Sequence, residues 1–291
     1  MDKQYRIGVL CIVCATVAWS SAGLIARLAA TPPATTLFWR SGFAFLFILC
    51  QIALTRRGRI APAFRGIGVA GTVMAAAFAL SMGAFINALT YMRVANVLVF
   101  HAASPFFAAL LAWVFIAERP RGPTLAAIAL SLCGVAIMVA GSLGPDDLKG
   151  DGLSAVMSLS FAVTIVLARA SPNLPMAGVT ALSMLLMAVA SLPWADLTPS
   201  LPDLGLLAVF GIGQMGVGSL LFTAGAKRVP AADAGLLSVL ETVLGPLWVW
   251  LAVDERPDPA VLAGGGLVLA AVLTAGLVEG RRRQIAAANV R

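Results

Sequence analysis

The stretch Trp113-Val114-Phe115-Ile116-Ala117-Glu118-Arg119-Pro120 returns 137 positions later as Trp250-Leu251-Ala252-Val253-Asp254-Glu255-Arg256-Pro257. Each copy closes an apolar run long enough to cross a bilayer, which takes about 20 residues. Counted along the chain, five apolar spans separate an element from its repeat. An odd number of crossings turns the second copy upside down in the membrane. Two helical bundles related in this way form the architecture of many secondary transporters.

Composition agrees. Of the 291 residues 60% are hydrophobic and 11% charged, with a mean hydropathy of +0.95. A soluble domain carries about 25% charged residues. The chain therefore reads as an all-α integral membrane protein of ten transmembrane helices, arranged as two inverted five-helix repeats. The expected spans are 7–28, 35–54, 67–90, 95–117, 124–143, 152–169, 177–195, 204–226, 231–253 and 260–278. Proline with charged or small polar residues marks the breaks at Thr31-Pro32-Pro33, Ser171-Pro172 and the two Glu-Arg-Pro sites. The most polar interior stretch, Gly144 to Asp151, is expected to be a loop dividing the chain into halves 1–145 and 146–291.

The net charge of +7 sits between apolar spans, which excludes a nucleic-acid surface and points to orientation in the membrane. With the N-terminus in the cytoplasm, fifteen lysines and arginines fall on that side. Five fall on the other: Arg27, Arg40, Arg93, Lys149 and Arg256. A multi-pass protein of the inner (plasma) membrane with both termini cytoplasmic is the expectation. The apolar run that begins at Ile7 continues to about Ala26 without a convincing cleavage site, and is read as a retained first helix. Cys11, Cys14, Cys50 and Cys133 all fall in apolar segments and read as small buried residues.

Polar groups at membrane depth are costly, so each needs a reason. Glu241 lies near the middle of span nine, suited to contact a substrate amine or carry a proton. His101, the only histidine, lies about two turns into span four and matches Ser238 in the repeat, three residues before Glu241. Facing fourth spans would bring His101 and Glu241 into one cavity. Trp19 lies mid-span beside Ser20 and Ser21, and its repeat partner Phe161 lies beside Ser158 and Ser160. Aromatic and hydroxyl groups at depth in both halves read as cavity lining or as interhelical packing. In span three Ala75, Ala79, Gly83, Asn87 and Tyr91 recur every four residues. The small members permit close helix approach, and Asn87 and Tyr91 are candidates to line a pore. Span eight carries Gln214, Gly216, Gly218 and Ser219 in a comparable role. Pro105 and Pro246 each remove a helix hydrogen bond and permit a bend. One histidine and no acidic cluster give no metal site, and no cofactor is expected.

Glu118-Arg119 and Glu255-Arg256 closing the repeated spans, Trp19-Ser20-Ser21 in the first helix and Trp39-Arg40 opening the second resemble the EamA-type branch of the drug/metabolite transporter superfamily. The resemblance covers essentially the whole chain. It implies a ten-helix inverted-repeat exporter of small metabolites, with helices one to four and six to nine around a central cavity and helices five and ten peripheral. Members of that branch handle amino acids, other metabolites and toxic analogues. One departure stands out: Thr242 occupies the place of Pro105 in the second repeat, with Pro246 four residues on.

The function expected is secondary transport of a small amphipathic solute, most plausibly a hydrophobic or aromatic amino acid, out of the cell by alternating access. The partners are that solute and the lipid bilayer; monomer and dimer both fit. No Walker loop is present, so ATP is not the direct energy source. The rival classes are an intramembrane enzyme and a passive membrane scaffold. His-Glu-x-x-His and Gly-x-Ser-Gly are both absent, and neither rival gives a reason for an inverted duplication.

Overall fold

The computed structural model describes residues 3–117, 122–140, 145–229, 237 and 240–288. Ten helices organise them: α1 Lys3–Leu28, α2 Pro33–Thr55, α3 Gly68–Ala88, α4 Val94–Ile116, α5 Gly122–Ala140, α6 Pro145–Ala170, α7 Met176–Trp194, α8 Leu201–Ala226, α9 Leu240–Val253 and α10 Pro259–Ala288. Among the described residues seven are long and apolar enough to cross a membrane; Leu125–Ala140, Leu240–Val253 and Pro259–Thr274 are shorter apolar segments.

The packing follows an inverted two-fold. Helix α1 lies on α8 as α6 lies on α3, and α1 meets α9 as α6 meets α4. The pairs α2·α7, α4·α9 and α5·α10 each join a helix to its own repeat. At the centre of α5·α10 the two backbones approach reciprocally. A Cβ on Gly134 would stand 2.5 Å from the Gly264 carbonyl oxygen, and one on Gly264 would meet the Gly134 carbonyl oxygen. Small residues are what permit such approach where lipid supplies no hydrophobic drive for association.

The repeated motif is also repeated in conformation. Ala117 and Asp254 both end their helices in the left-handed region, at φ 55° and 52°, and Trp113 and Trp250 are equally exposed at 46%. A left-handed residue is a common helix stop, usually glycine. An alanine and an aspartate held there at matching positions show a stop imposed by context.

Several local readings change. The stretch expected to be a loop is helical from Pro145 onward, so α6 begins before Asp151. Proline at a first helical position and acidic residues in the first turn favour such a start. Cys14, Cys50 and Cys133 lie on the exposed outer face rather than in the core. That face meets lipid in a membrane protein, so small apolar residues are tolerated there as well as inside.

Two helices are broken at membrane depth, and the breaks are stabilised by side chains. In α1 the hydroxyls of Ser20 and Ser21 donate to the carbonyls of Val17 (2.8 Å) and Ala18 (2.7 Å), and the helix is interrupted at Ser21. Such back-bonding competes with the main-chain ladder. In α4 Pro105 has no N–H for the His101 carbonyl, and the helix divides into Val94–Ala102 and Ser104–Ile116. The Ser158 hydroxyl of α6 donates to the Phe100 carbonyl beside that break at 2.7 Å. Ser158→Ala is expected to lower stability by about 1 kcal/mol, the net worth of one buried hydrogen bond, since the Phe100 carbonyl keeps the Ala103 N–H at 3.1 Å, read as a fall in melting midpoint in detergent. In α9 the helix runs unbroken through Pro246, so the departure at Thr242 is a real asymmetry between the halves.

Candidate functional site

A cavity of about 50 Å³ lies between the two halves. His101, Arg40, Gln214 and Glu241 line it, with Ser81 and Leu98 among the remaining wall. Its lining comes from α1, α2, α3, α4, α6, α8 and α9; α5, α7 and α10 contribute nothing. The first half supplies Arg40 and His101, the second Gln214 and Glu241, so the polar constellation straddles the interface between repeats.

Each polar group is placed by a local feature. His101 sits one turn before the proline break of α4, its ring 4.8 Å from that of Phe161. Its Nδ1 is buried without a hydrogen-bond partner. Gln214 lies inside a π-helical segment of α8, Val209–Val217. A π-helical turn shifts side chains around the axis, and such segments often occur at functional sites. Here it sets the Gln214 Oε1 3.0 Å from the Arg40 guanidinium. Gly211 in the same segment meets the Arg40 carbonyl so closely that a Cβ would clash with it. Arg40 is 2% exposed, with its guanidinium carbon 4.1 Å from the Phe210 ring centroid and one nitrogen 3.5 Å from the Met82 sulfur. Among the described residues no carboxylate pairs with it, and Glu241 has no hydrogen-bond partner.

The charge count treated Arg40 as a helix-end residue on the non-cytoplasmic side. It is instead two turns into α2 and buried in the bundle, because α2 begins at Pro33. Sequence signals for Arg40 existed in the cost of an arginine that far inside a span. Gln214 belongs to the span-eight set read as packing or pore lining, and of that set it is the member that lines the cavity.

The other expected site residues lie elsewhere. Trp19 stacks on Phe222 at 4.9 Å and covers Gly218, in the contact between α1 and α8. Ser20 is buried and accepts a hydrogen bond from Trp248 Nε1 at 2.9 Å, joining α1 to α9. Phe161 stands between His101 and Phe78, and lines a second cavity of about 230 Å³ with Thr164 and Ser183. Asn87 donates to the Gly83 carbonyl at 2.8 Å and faces an apolar groove of about 520 Å³ between α3, α6 and α7. Tyr91 is 40% exposed at the end of the bundle, with the Lys149 ammonium 5.7 Å from its ring centroid. Ser238 lies outside the described residues, as do Glu118 and Arg119.

At one mouth the repeated motif takes an unexpected partner. Next to Arg256 at a helix end, Glu255 has a solvated partner at hand in the sequence. Glu255 instead accepts from Arg27 Nε at 2.9 Å and from the Val94 backbone N–H at 2.6 Å, capping α4. Arg27 also donates to the carbonyls of Leu89 (2.7 Å) and Met92 (2.9 Å) at the end of α3. Arg256 pairs with Asp254 at 3.2 Å in the open. Arg93 and Asp258 form a second ion pair between the halves at this mouth.

This fold and this interface cavity define a membrane transporter built from duplicated halves. The model of the EamA-like transporter family matches residues 6–140 and again 148–277, so the chain belongs to that family, one of transporters rather than enzymes. It is 25% identical over 280 residues to the pseudopaline exporter CntI of two Pseudomonas aeruginosa strains, UCBPP-PA14 and PAO1, covering 92% of this chain and 95% of theirs. A solved structure, described as the crystal structure of a protein, superposes with a TM-score of 0.67 at 19% identity, over 94% of this chain and 98% of that one. That likeness is one of fold.

Proposed function

We propose that the chain exports small metabolites, foremost amino acids with hydrophobic or aromatic side chains, by alternating access between halves 1–145 and 146–291. The observation that carries this is the interface cavity holding Arg40 and His101 from one half and Gln214 and Glu241 from the other. A site at the contact of two inverted repeats is exposed alternately when the repeats rock. An arginine and a carboxylate facing one small space complement the two charges of a zwitterion, with Glu241 on the ammonium. At about 50 Å³ the cavity falls well short of the roughly 300–1,000 Å³ of pockets that enclose small-molecule ligands. Solute binding therefore requires the halves to part. Export of a metabolite by the Pseudomonas relative supports the outward direction.

The location proposed is the inner (plasma) membrane with both termini in the cytoplasm. Fifteen basic residues support it, and the removal of Arg40 from the opposing set sharpens the asymmetry. A reporter fused at the C-terminus should read the cytoplasm and one inserted at Ser142, between α5 and α6, the other side; the reverse would overturn the orientation.

Flux in proteoliposomes tests the function. Labelled amino acids are presented with and without a pH gradient. At least one is expected to move, and Glu241→Gln is expected to reduce its flux about tenfold, the loss of one charge-assisted contact. No flux for any amino acid would sink the substrate assignment. Flux indifferent to both the gradient and Glu241→Gln would assign facilitated diffusion.

A further inference from the structure

We propose that Arg40 is the anchor for a carboxylate of the transported solute, and that the site therefore selects carboxylate-bearing molecules over amines of the same shape. This rests on the transporter reading above and specifies its substrate class. Arg40 is fully enclosed by the bundle, yet its protein partners are a neutral amide, a thioether and an aromatic face. None carries a negative charge. Glu241 lines the same cavity without forming an ion pair with it.

A buried charge is normally neutralised by a partner. Two opposite charges that share a cavity and leave each other unpaired are each available to a ligand. Guanidinium recognises carboxylate with two parallel hydrogen bonds in one plane. Gln214 accepts from Nη2 of Arg40 through its Oε1 and holds the guanidinium in place, while Nε and Nη1 have no acceptor among the described residues. The Phe210 ring supports the guanidinium at 4.1 Å and keeps water from it. His101 adds a buried, unpartnered nitrogen within the same lining. The π-helical segment thus positions Arg40 through Gln214 and Phe210 together. A purely structural arginine at this depth would take a carboxylate of the protein, and Glu241 is the one the cavity offers.

The test uses the full-length protein in detergent and in proteoliposomes. The probes are phenylalanine, its decarboxylated amine phenethylamine, and its deaminated acid 3-phenylpropionate. Each is scored by competition for flux and by the shift it produces in the melting midpoint. The wild type should take phenylalanine at least about tenfold better than its amine, the pair that differs by the carboxylate alone. Arg40→Gln should erase that preference, and Arg40→Lys should restore part of it. Gln214→Glu places a carboxylate against the guanidinium without changing shape. It should weaken binding of the carboxylates about tenfold while the protein melts no lower than the wild type. This second variant decides the matter where Arg40→Gln fails to fold. Equal uptake of phenylalanine and its amine, or Gln214→Glu with undiminished carboxylate binding, would overturn the anchor, as would a wild type that takes no carboxylate at all. Uptake of the simple acid without any amino acid would overturn the amino-acid reading and leave the anchor standing.

Discussion

Gly264→Leu is expected to abolish assembly of the bundle, and Gly264→Ala to lower its melting midpoint clearly. The reason is geometric. A Cβ at this position meets the backbone oxygen of Gly134, and the Met138 side chain lies 2.7 Å away. Flexible side chains yield to such overlap; a helical carbonyl does not. Separating α5 from α10 would forfeit packing along their length, a loss of about 3 kcal/mol or more for overpacking of this kind. The neighbouring Gly266 is the control. A Cβ there meets nothing within 4 Å, so Gly266→Ala should be neutral or stabilise by up to about 1 kcal/mol through helix propensity. Monodisperse yield and melting in detergent measure both. Equal behaviour of the two alanine variants would show that the close approach is not a feature of the protein.

Loss of the Arg27–Glu255 contact is expected to open one mouth of the transporter. The pair joins the end of α1 to the end of α9, and therefore one half to the other. Side-chain exposures of 29% and 17% place it between a surface and a buried pair, worth about 1–2 kcal/mol with the capping bond to Val94 included. Removing that from the closed arrangement shifts its equilibrium with an open one by about tenfold. Ala22→Cys reports the shift, since Ala22 lines the interface cavity. The four native cysteines are replaced first. Labelling by an impermeant maleimide from the Arg27 side should quicken about tenfold in Glu255→Gln. Arg27→Gln should act similarly, and the double variant no more strongly than either. Additive effects would mean that the two residues serve separate ends. An unchanged labelling rate in Glu255→Gln would remove the latch altogether.

The ten spans were legible because length and hydropathy are enough to reveal them, and their duplication because the stretch Trp113 to Pro120 recurs at Trp250 to Pro257. So was the meeting of His101 with Glu241, predicted by placing the fourth spans of both halves opposite each other and found in one cavity. Ser20 was singled out for its place beside Trp19, and its contact with Trp248 joins α1 to α9. The contacts of Trp19, Asn87 and Tyr91 could not be read, and none of the three lines the cavity. Small-residue periodicity in α3 identifies a packing face, but Asn87 continues that face onto a lateral groove.

By itself the sequence determined the all-helical membrane architecture and the inverted duplication. Each depends on local chemistry or on counting. Tertiary structure alone decided that Arg40 lies inside the bundle and that a π-helical turn brings Gln214 to it. It alone paired Glu255 with Arg27, 228 residues away. A soluble helix betrays its inner face through alternation of apolar and polar residues. In a bilayer the lipid is as apolar as the core, that alternation fades, and rotation of each helix is settled only by the neighbours it packs against.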